Sequence, residues 1–317
     1  MDSKNILVVG WYGNGKNIPN LGDYLFTVAF KHIFKEFNFT FTERIELEDV
    51  EKNDAIFFGG GSFLDNEINI HPAAREELIK KPIFYLNVGL DTSVSQDHLM
   101  LLSQAKLIVA RNNPETDKIK GFPVLRCPDF VYALNNIVPT KPIEKSLLFL
   151  PNAFVMPQNT DLNWKFAAWN YFRSQVCETL DELIEDGWMV HFYPMCQNKT
   201  IDDSWAAVEI LDLMKHRNKY MLLNKPLTEM KDIISLFSRN SIILTQRFHG
   251  IVLADLAQRP VVSISHHDKI QSDISISYYN TSKTILHNVI KSAKPSVVKN
   301  YNEKFNEIYN MVTNYLR

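Results

Sequence analysis

The sequence predicts an α/β protein with two Rossmann-like domains, each built on a parallel sheet, and three observations support this. The 317 residues exceed the usual limit for one hydrophobic core. Short apolar runs alternate with amphipathic segments, which is typical of a parallel sheet with helices on both faces. This alternation stops between Ile137 and Glu144 and then resumes. We therefore expect one domain over residues 1–140 and a second over 141–317, with ligands bound in a cleft between the carboxyl ends of the two sheets.

The first domain is expected to contain four strands and three helices. Strands are predicted at Ile6–Val9, Ala55–Phe58, Ile83–Val88 and Leu107–Ala110, and helices at Leu21–Phe37, Ala73–Lys80 and Gln96–Gln104. Asn20 can cap the first helix, because a short polar side chain accepts a hydrogen bond from a backbone N–H that the helix leaves unpaired.

The second domain repeats the alternation. Strands are predicted at Leu147–Leu150, Trp188–Tyr193, Tyr220–Leu223, Ser241–Thr245 and Val261–Ile264, and helices at about 163–186, 204–216, 228–237 and 250–258. Apolar residues at helical spacing predict a terminal helix over about 300–317, which we assign to this domain.

Composition narrows the range of partners. A net charge of -2 gives no general attraction to nucleic acid or anionic membranes, so an anionic ligand must be held by a local cluster. The three cysteines are widely spaced, which indicates a reducing compartment, and no spacing predicts a metal site. Without a signal peptide or a membrane-length apolar stretch, we expect a cytoplasmic protein.

Two segments of the first domain follow its first two predicted strands. In Asn20-Leu-Gly22-Asp23, the carboxylate can contact a substrate hydroxyl, or it can simply favour the start of the helix. Gly59-Gly60-Gly61-Ser62 follows the second strand, where glycines allow a ligand to approach the backbone. The alternative is a tight turn, although one glycine usually suffices for that.

Arg111 follows another strand of this domain. An arginine at the carboxyl edge of the sheet can bind a carboxylate or phosphate through two parallel hydrogen bonds. The alternative is a solvated surface residue. Asp129, in the Cys127-Pro128-Asp129 segment, is interpreted as ordering the linker rather than as taking part in chemistry.

The most informative segment lies in the second domain. Arg247 and His249 fall where the Ser241–Thr245 strand ends and a helix begins, and Lys269 follows the next strand. The start of a helix favours anions, so this cluster predicts an anion site. A single histidine here is more often structural, but the two neighbouring cations favour function. His266 and His267 are further candidates for the cleft, or solvated loop residues.

Together these residues resemble the polysaccharide pyruvyl transferase family over about residues 5–270. Arg247-x-His249 is the most specific part, and the other parts are Asn20-x-Gly22-Asp23, the glycine run, Arg111, Pro128-Asp129, and Pro260 with Lys269. The chain departs from the family pattern at Asn112 and Glu115, where an acidic residue and a serine are usual, and at His266, where a tyrosine is common. These departures concern the acceptor and the activity more than the fold.

The resemblance implies a GT-B-like pair of domains and an enzyme of exopolysaccharide or cell-surface glycan biosynthesis. Such an enzyme transfers the pyruvyl group of phosphoenolpyruvate onto two hydroxyls of a sugar as a ketal, without metal or organic cofactor. Arg247, Lys269 and Arg111 would bind the donor, and His249 would transfer protons. Asp23 would assist the acceptor, with Asn20, Gly22, Gly60, Gly61, Ser62 and His267 lining the cleft.

Two alternatives stay open from the sequence. A glycosyltransferase that uses a nucleotide sugar would share this architecture, because fold does not fix function. No segment clearly supplies the acidic residue that would bind the ribose. A non-catalytic glycan-binding relative is the other alternative, and the presence of Arg247, His249 and Lys269 disfavours it. The sequence does not identify the acceptor sugar or the ketal positions. It also leaves the oligomeric state open, with a homo-oligomer as one alternative.

Overall fold

The chain forms two compact units in a computed structural model. One unit comprises residues 1–18, 22–135 and 300–317, and the other comprises 19–21 and 136–299. The structure describes residues 3–12, 20–64, 67–90, 93–112, 117, 119–136, 138–153, 163–198, 201–216, 220–223, 226–265, 270, 273–295 and 300–317.

A six-stranded parallel sheet forms the centre of the first unit, in the order β2-β1-β4-β6-β7-β8. Its elements are β1 (Asn5–Val9), α1 (Leu21–Ile33), β2 (Asn38–Thr42), β3 (Arg44–Ile45), α2 (Leu47–Lys52), β4 (Ala55–Ser62), β5 (Asn69–Ile70), α3 (Arg75–Leu78), β6 (Ile83–Gly89), α4 (Gln96–Leu102), β7 (Leu107–Arg111) and β8 (Val124–Cys127). The strands predicted for this half are all present. The pattern did not identify β2 or β8, and α1 ends at Ile33 rather than Phe37.

The second unit has its own six-stranded parallel sheet, in the order β11-β10-β9-β12-β13-β14. Its elements are β9 (Ile143–Leu150), α5 (Asn163–Glu185), β10 (Met189–Phe192), α6 (Asp203–Leu211), β11 (Tyr220–Leu222), α7 (Met230–Arg239), β12 (Asn240–Thr245), α8 (Phe248–Leu256), β13 (Val261–Ser265), β14 (Ile274–Ser277) and α9 (Lys283–Ser292). The chain then ends in α10 (Asn302–Leu316). The predicted α/β class with two parallel sheets is thereby confirmed.

The terminal helix α10 belongs to the first unit, whereas the sequence division assigned it to the second domain. Its aromatic side chains explain the difference, because they pack against aromatic rings of the first unit. The ring centroids lie 5.9 Å apart for Phe305 and Phe130, 6.1 Å for Tyr309 and Phe34, and 6.0 Å for Tyr315 and Phe84. Periodicity predicts such a helix but does not identify the core that it covers.

The central strands of both sheets are buried on their two faces, whereas the edge strands β2, β8 and β14 are partly exposed. In the first unit, β6 is buried along its whole length, as expected for a central strand of a parallel sheet. Within the described ranges, no helix is long and apolar enough to cross a membrane.

Candidate functional site

In each sheet, the connections that follow one pair of neighbouring strands run in opposite directions. One connection leads to a strand nearer one edge of the sheet, and the other leads to a strand nearer the opposite edge. In the first unit this pair is β1 and β4, and in the second it is β9 and β12. Ligands of open α/β sheets bind beside the carboxyl ends of such strands. The predicted segment from Asn20 to Asp23 follows β1, the glycine run lies at the end of β4, and Arg247 and His249 follow β12. Arg111 instead ends β7, two strands away from β4.

The glycine run in the first unit is part of β4, which continues through Ser62 instead of ending at Phe58. Gly60 and Gly61 have φ values of 76° and 99°. A Cβ atom on Gly60 would lie 2.2 Å from the Tyr12 hydroxyl oxygen, so packing accounts for this glycine. On Gly61 the nearest atom would be Oδ1 of Asp23 at 3.6 Å, an ordinary contact distance. The predicted approach of a ligand to the backbone therefore fits Gly61 better than Gly60.

Tyr12 lies beneath this segment and was not identified from the sequence. It is fully buried, and its hydroxyl donates a hydrogen bond of 2.5 Å to the carbonyl of Gly59. Burial raises the pKa of Tyr12 well above its ordinary value, and the negative charges of Asp23 and Asp129 raise this pKa further. The phenol is therefore a neutral hydrogen-bond donor that links the segment after β1 to the glycine run of β4.

Arg111 is only 4% exposed, so the alternative of a solvated surface arginine is wrong. Nη2 of Arg111 donates to Oγ of Ser62 at 2.6 Å, and Nη1 lies 3.7 Å from Oδ2 of Asp129. The guanidinium fills space that a side chain at position 89 would occupy, since a Cβ on Gly89 would lie 2.0 Å from Nη2. The cation is thus held in one place at the carboxyl edge of the sheet.

Asp129 does more than the sequence indicated. Its Oδ1 accepts a hydrogen bond of 3.0 Å from the backbone N–H of Val131, which caps the 3₁₀ turn Phe130–Leu134. Its other oxygen faces Arg111. Asp129 therefore orders the turn that precedes the predicted linker, rather than the linker itself, and also neutralises a buried cation.

In the second unit, Arg247 and His249 lie at the start of α8. This helix begins at Phe248 instead of Gly250, so His249 is its second residue and Arg247 its N-cap. The backbone N–H of Arg247 donates to Oγ1 of Thr245, which donates to the Arg247 carbonyl, each at 3.0 Å. These two bonds fix the turn from β12 into α8. They place an arginine and a half-buried histidine beside the positive end of the helix dipole.

The side chain of Arg247 is held by Asp203, the first residue of α6, which the sequence did not single out. Nε of Arg247 donates to Oδ2 of Asp203 at 2.9 Å, and Nη2 donates to Oδ1. The same two oxygens accept hydrogen bonds from the backbone N–H groups of Ala153 and Cys196, each at 2.9 Å. Asp203 is fully buried. One carboxylate thus joins the segments that follow β9, β10 and β12.

Gln246 and Asn152 form a second buried contact between the ends of β9 and β12. The backbone N–H of Asn152 donates to Oε1 of Gln246 at 3.2 Å, and Nδ2 of Asn152 donates to the Gln246 carbonyl at 3.3 Å. Both residues are almost fully buried. Amide groups therefore connect the carboxyl ends of β9 and β12 through hydrogen bonds.

The other predicted residues fall in several places. Asn20 groups with the second unit, where it forms an isolated antiparallel bridge with Cys196. Gly22 is buried in the first turn of α1, and Asp23 is partly buried beside it. The remaining predictions lie outside the described residues: Lys269, His266, His267 and Glu115.

No metal site is formed by the described part of the chain, in which no group of three or more His, Cys, Asp or Glu side chains could hold an ion. The two carboxyl edges instead present cations held by buried carboxylates. This arrangement suits an anionic ligand.

The fold and these edges define a two-unit α/β protein of the GT-B class. Residues 20–268 match the family Polysaccharide pyruvyl transferase, and the chain belongs to this family. No curated protein matches the chain.

Solved structures share the fold at low identity. UDP-N-acetylglucosamine 2-epimerase from Rickettsia bellii is 12% identical, with a TM-score of 0.61 over 100% of this chain and 97% of the other. The UDP-GlcNAc 2-epimerase of Methanocaldococcus jannaschii, in complex with UDP-GlcNAc and UDP, is 11% identical, with a TM-score of 0.57 over 98% and 99%. Anabaena HepE in complex with UDP-glucose is 12% identical, with a TM-score of 0.53 over 91% and 89%. At these identities the similarity establishes the fold alone.

Proposed function

We propose that this protein transfers the pyruvyl group of phosphoenolpyruvate onto two hydroxyls of one sugar in a glycan or glycan precursor, forming a cyclic ketal. The observation that carries the proposal is the pair Arg247 and His249 at the start of α8, inside the segment that matches the pyruvyl transferase family. Phosphoenolpyruvate is a small, highly charged anion. An arginine and the positive end of a helix dipole are suited to bind it.

The reaction requires protons to be moved between the sugar hydroxyls, the donor and phosphate. The bond from C2 to the phosphate oxygen breaks, and C2 forms two new bonds to sugar oxygens. The methylene carbon becomes a methyl group by gaining a proton, and the two sugar hydroxyls lose one proton each. One of these protons balances the methyl group, and the other leaves with phosphate. His249 is proposed to transfer the proton at the methylene carbon or at the departing phosphate, because histidine can donate and accept protons near neutral pH.

Arg247 and Lys269 are proposed to bind the phosphate and carboxylate of the donor, and Asp23 to accept a proton from the attacking hydroxyl. Arg111 is proposed as a further donor contact. No metal or organic cofactor takes part in this scheme, and phosphoenolpyruvate is a co-substrate. We place the reaction in the cytoplasm, where phosphoenolpyruvate is made.

The first experiment tests for the reaction itself. The protein is incubated with phosphoenolpyruvate and a panel of sugars and nucleotide sugars, and phosphate release is measured together with the mass of the sugar product. Phosphate release with a product that has gained one pyruvyl ketal is the expected result. Transfer of a sugar from a nucleotide sugar, without use of phosphoenolpyruvate, would instead establish a glycosyltransferase.

The second experiment tests the role of His249. His249→Gln should leave the affinity for phosphoenolpyruvate within a few fold and lower kcat by on the order of 10²–10⁴, the usual effect of losing a general acid or base. His216→Gln is the matched control, because His216 lies in the same unit but contacts Glu185. It should retain wild-type turnover. Wild-type turnover of His249→Gln, with a lower Tm, would make His249 a structural residue of the helix start.

A further inference from the structure

Asp203 stands out among the buried charged groups of the second unit because it contacts the backbone of two other segments and one proposed ligand-binding side chain. Its carboxylate receives N–H groups from Ala153, Cys196 and Arg247. Its own backbone N–H donates to the Cys196 carbonyl at 2.8 Å. The N-cap of this helix is Asp202, whose side chain accepts from the backbone N–H of Ser204, so capping does not account for the contacts of Asp203 with Arg247.

The geometry of this contact limits how Arg247 can bind an anion. A guanidinium presents one edge through Nε and Nη2 and a second edge through Nη1 and Nη2. Asp203 accepts from Nε and Nη2, so its carboxylate occupies the first edge. A small anion would therefore be bound through the second edge. The two hydrogen bonds between the guanidinium and the carboxylate hold both groups in one plane. They therefore also fix the direction in which the Nη1 and Nη2 edge of Arg247 points.

We propose that Asp203 is a positioning residue for the donor site, which holds Arg247 so that the Nη1 edge binds phosphoenolpyruvate. This inference rests on the proposed function. Arg247 carries a side chain that is 13% exposed, whereas the side chain of Asp203 is 0% exposed. The arginine can thus reach a ligand, while the aspartate acts only through it.

The carboxylate has a second effect on the donor site. It neutralises the charge of Arg247 inside the protein, where an unpaired guanidinium would be costly. It also ties Arg247 to the segments after β9 and β10, so the arginine is in place before the donor arrives. Preorganised side chains bind ligands with less loss of conformational freedom.

The test compares Asp203→Asn with a matched buried aspartate of the same unit. Asp181 is also buried, and its two oxygens accept from the backbone N–H groups of Lys215 and His216. Both substitutions should lower Tm. Only Asp203→Asn should lower kcat/KM for phosphoenolpyruvate, by on the order of tenfold to a hundredfold and mainly through KM, as for other residues that orient a binding group. The same KM in both variants would overturn the proposal.

A double substitution separates positioning from general stability. If Asp203 acts through Arg247, then Asp203→Asn should have little further effect on KM in an Arg247→Ala background, so the two losses should not add. Full additivity of the two losses would show that Asp203 acts independently of Arg247 and would refute the proposal.

Chemical rescue provides a measurement that does not depend on the folding of Asp203→Asn. Added guanidinium should restore part of the phosphoenolpyruvate turnover of Arg247→Ala, because Asp203 can hold the planar ion in the vacated place. Methylammonium, which cannot form the paired contact, should restore much less. Equal rescue by both ions would contradict the proposed orientation. A wild-type protein that neither binds nor turns over phosphoenolpyruvate would instead refute the proposed function, and this inference with it.

Discussion

His98 makes the first unit sensitive to acid. The imidazole is fully buried in α4, its Nδ1 lies 2.9 Å from the Tyr85 hydroxyl, and its ring packs edge-on to Phe63 at 5.0 Å. Burial lowers the pKa of His98 from 6.5 to about 4. Phe63 directly follows Ser62, so the histidine supports the end of the strand that carries the glycine run.

The sign and size of the effect follow from this shift. As the pH falls below the ordinary pKa, the unfolded chain binds a proton at His98 before the folded protein does, so folding stability is lost. The loss is complete once the pH has passed the folded pKa. A shift from 6.5 to about 4 corresponds to about 3 kcal/mol at about 1.4 kcal/mol per unit. Above the ordinary pKa, His98 contributes no pH dependence.

His98→Gln removes the titration and keeps a polar side chain beside Tyr85. Between about pH 7.5 and 4.5, wild type should therefore lose about 2–3 kcal/mol of unfolding free energy that this variant does not lose. Urea unfolding at a series of pH values measures the difference. His32→Gln is the matched control because His32 is exposed on α1, and its pH profile should match wild type. The reasoning is refuted if wild type and His98→Gln have parallel profiles, or if the His98 imidazole titrates near its ordinary pKa by NMR.

Two further substitutions test the first-unit edge. Gly60→Ala should cost about 2–4 kcal/mol in urea unfolding, because the residue has a φ of 76° and its Cβ would meet a buried hydroxyl. Gly121→Ala, with a φ of 84° and open space, should cost only about 1 kcal/mol, and equal costs would show that the clash is relieved. Arg111→Met should cost about 3–5 kcal/mol because it leaves the buried Asp129 without the adjacent cation. Arg126→Met, at an exposed ion pair, should cost less than about 1 kcal/mol, and a similar loss in both would contradict a buried pair.

The sequence was enough to predict the central strands because each contains a short continuous apolar run. β4, β6, β9 and β12 contain runs of buried residues that no helical pattern explains. The edge strand β2 was not identified, since Asn38–Thr42 alternates polar and aromatic residues and is only partly buried. An edge strand has fewer neighbours to bury it, so its sequence carries a weaker signal.

The sequence likewise predicts some residues of the candidate site and misses others. Arg247 and His249 could be predicted because a strand, a short helix and a cluster of cations lie together in the sequence. Asp203 lies 44 positions before Arg247, and an acidic residue in the first turn of a helix is also expected from the helix dipole alone. Tyr12 resembles any aromatic core residue, and its link to Gly59 spans 47 positions. Contacts of this kind depend on the order of strands in the sheet, which local patterns do not contain.

The two arginines at the sheet edges differ in how well each could reach a donor. Both face a carboxylate that is almost completely buried, so the carboxylates do not distinguish them. The side chain of Arg111 is 4% exposed and donates to Ser62, whereas that of Arg247 is 13% exposed and precedes a helix start. A group that binds a ligand needs accessible surface, and the helix dipole adds to the attraction for an anion. Under the proposed function, Arg247 is therefore favoured over Arg111 for direct contact with phosphoenolpyruvate. For Arg111 to make such a contact, its hydrogen bond to Ser62 would have to open or be shared with the ligand.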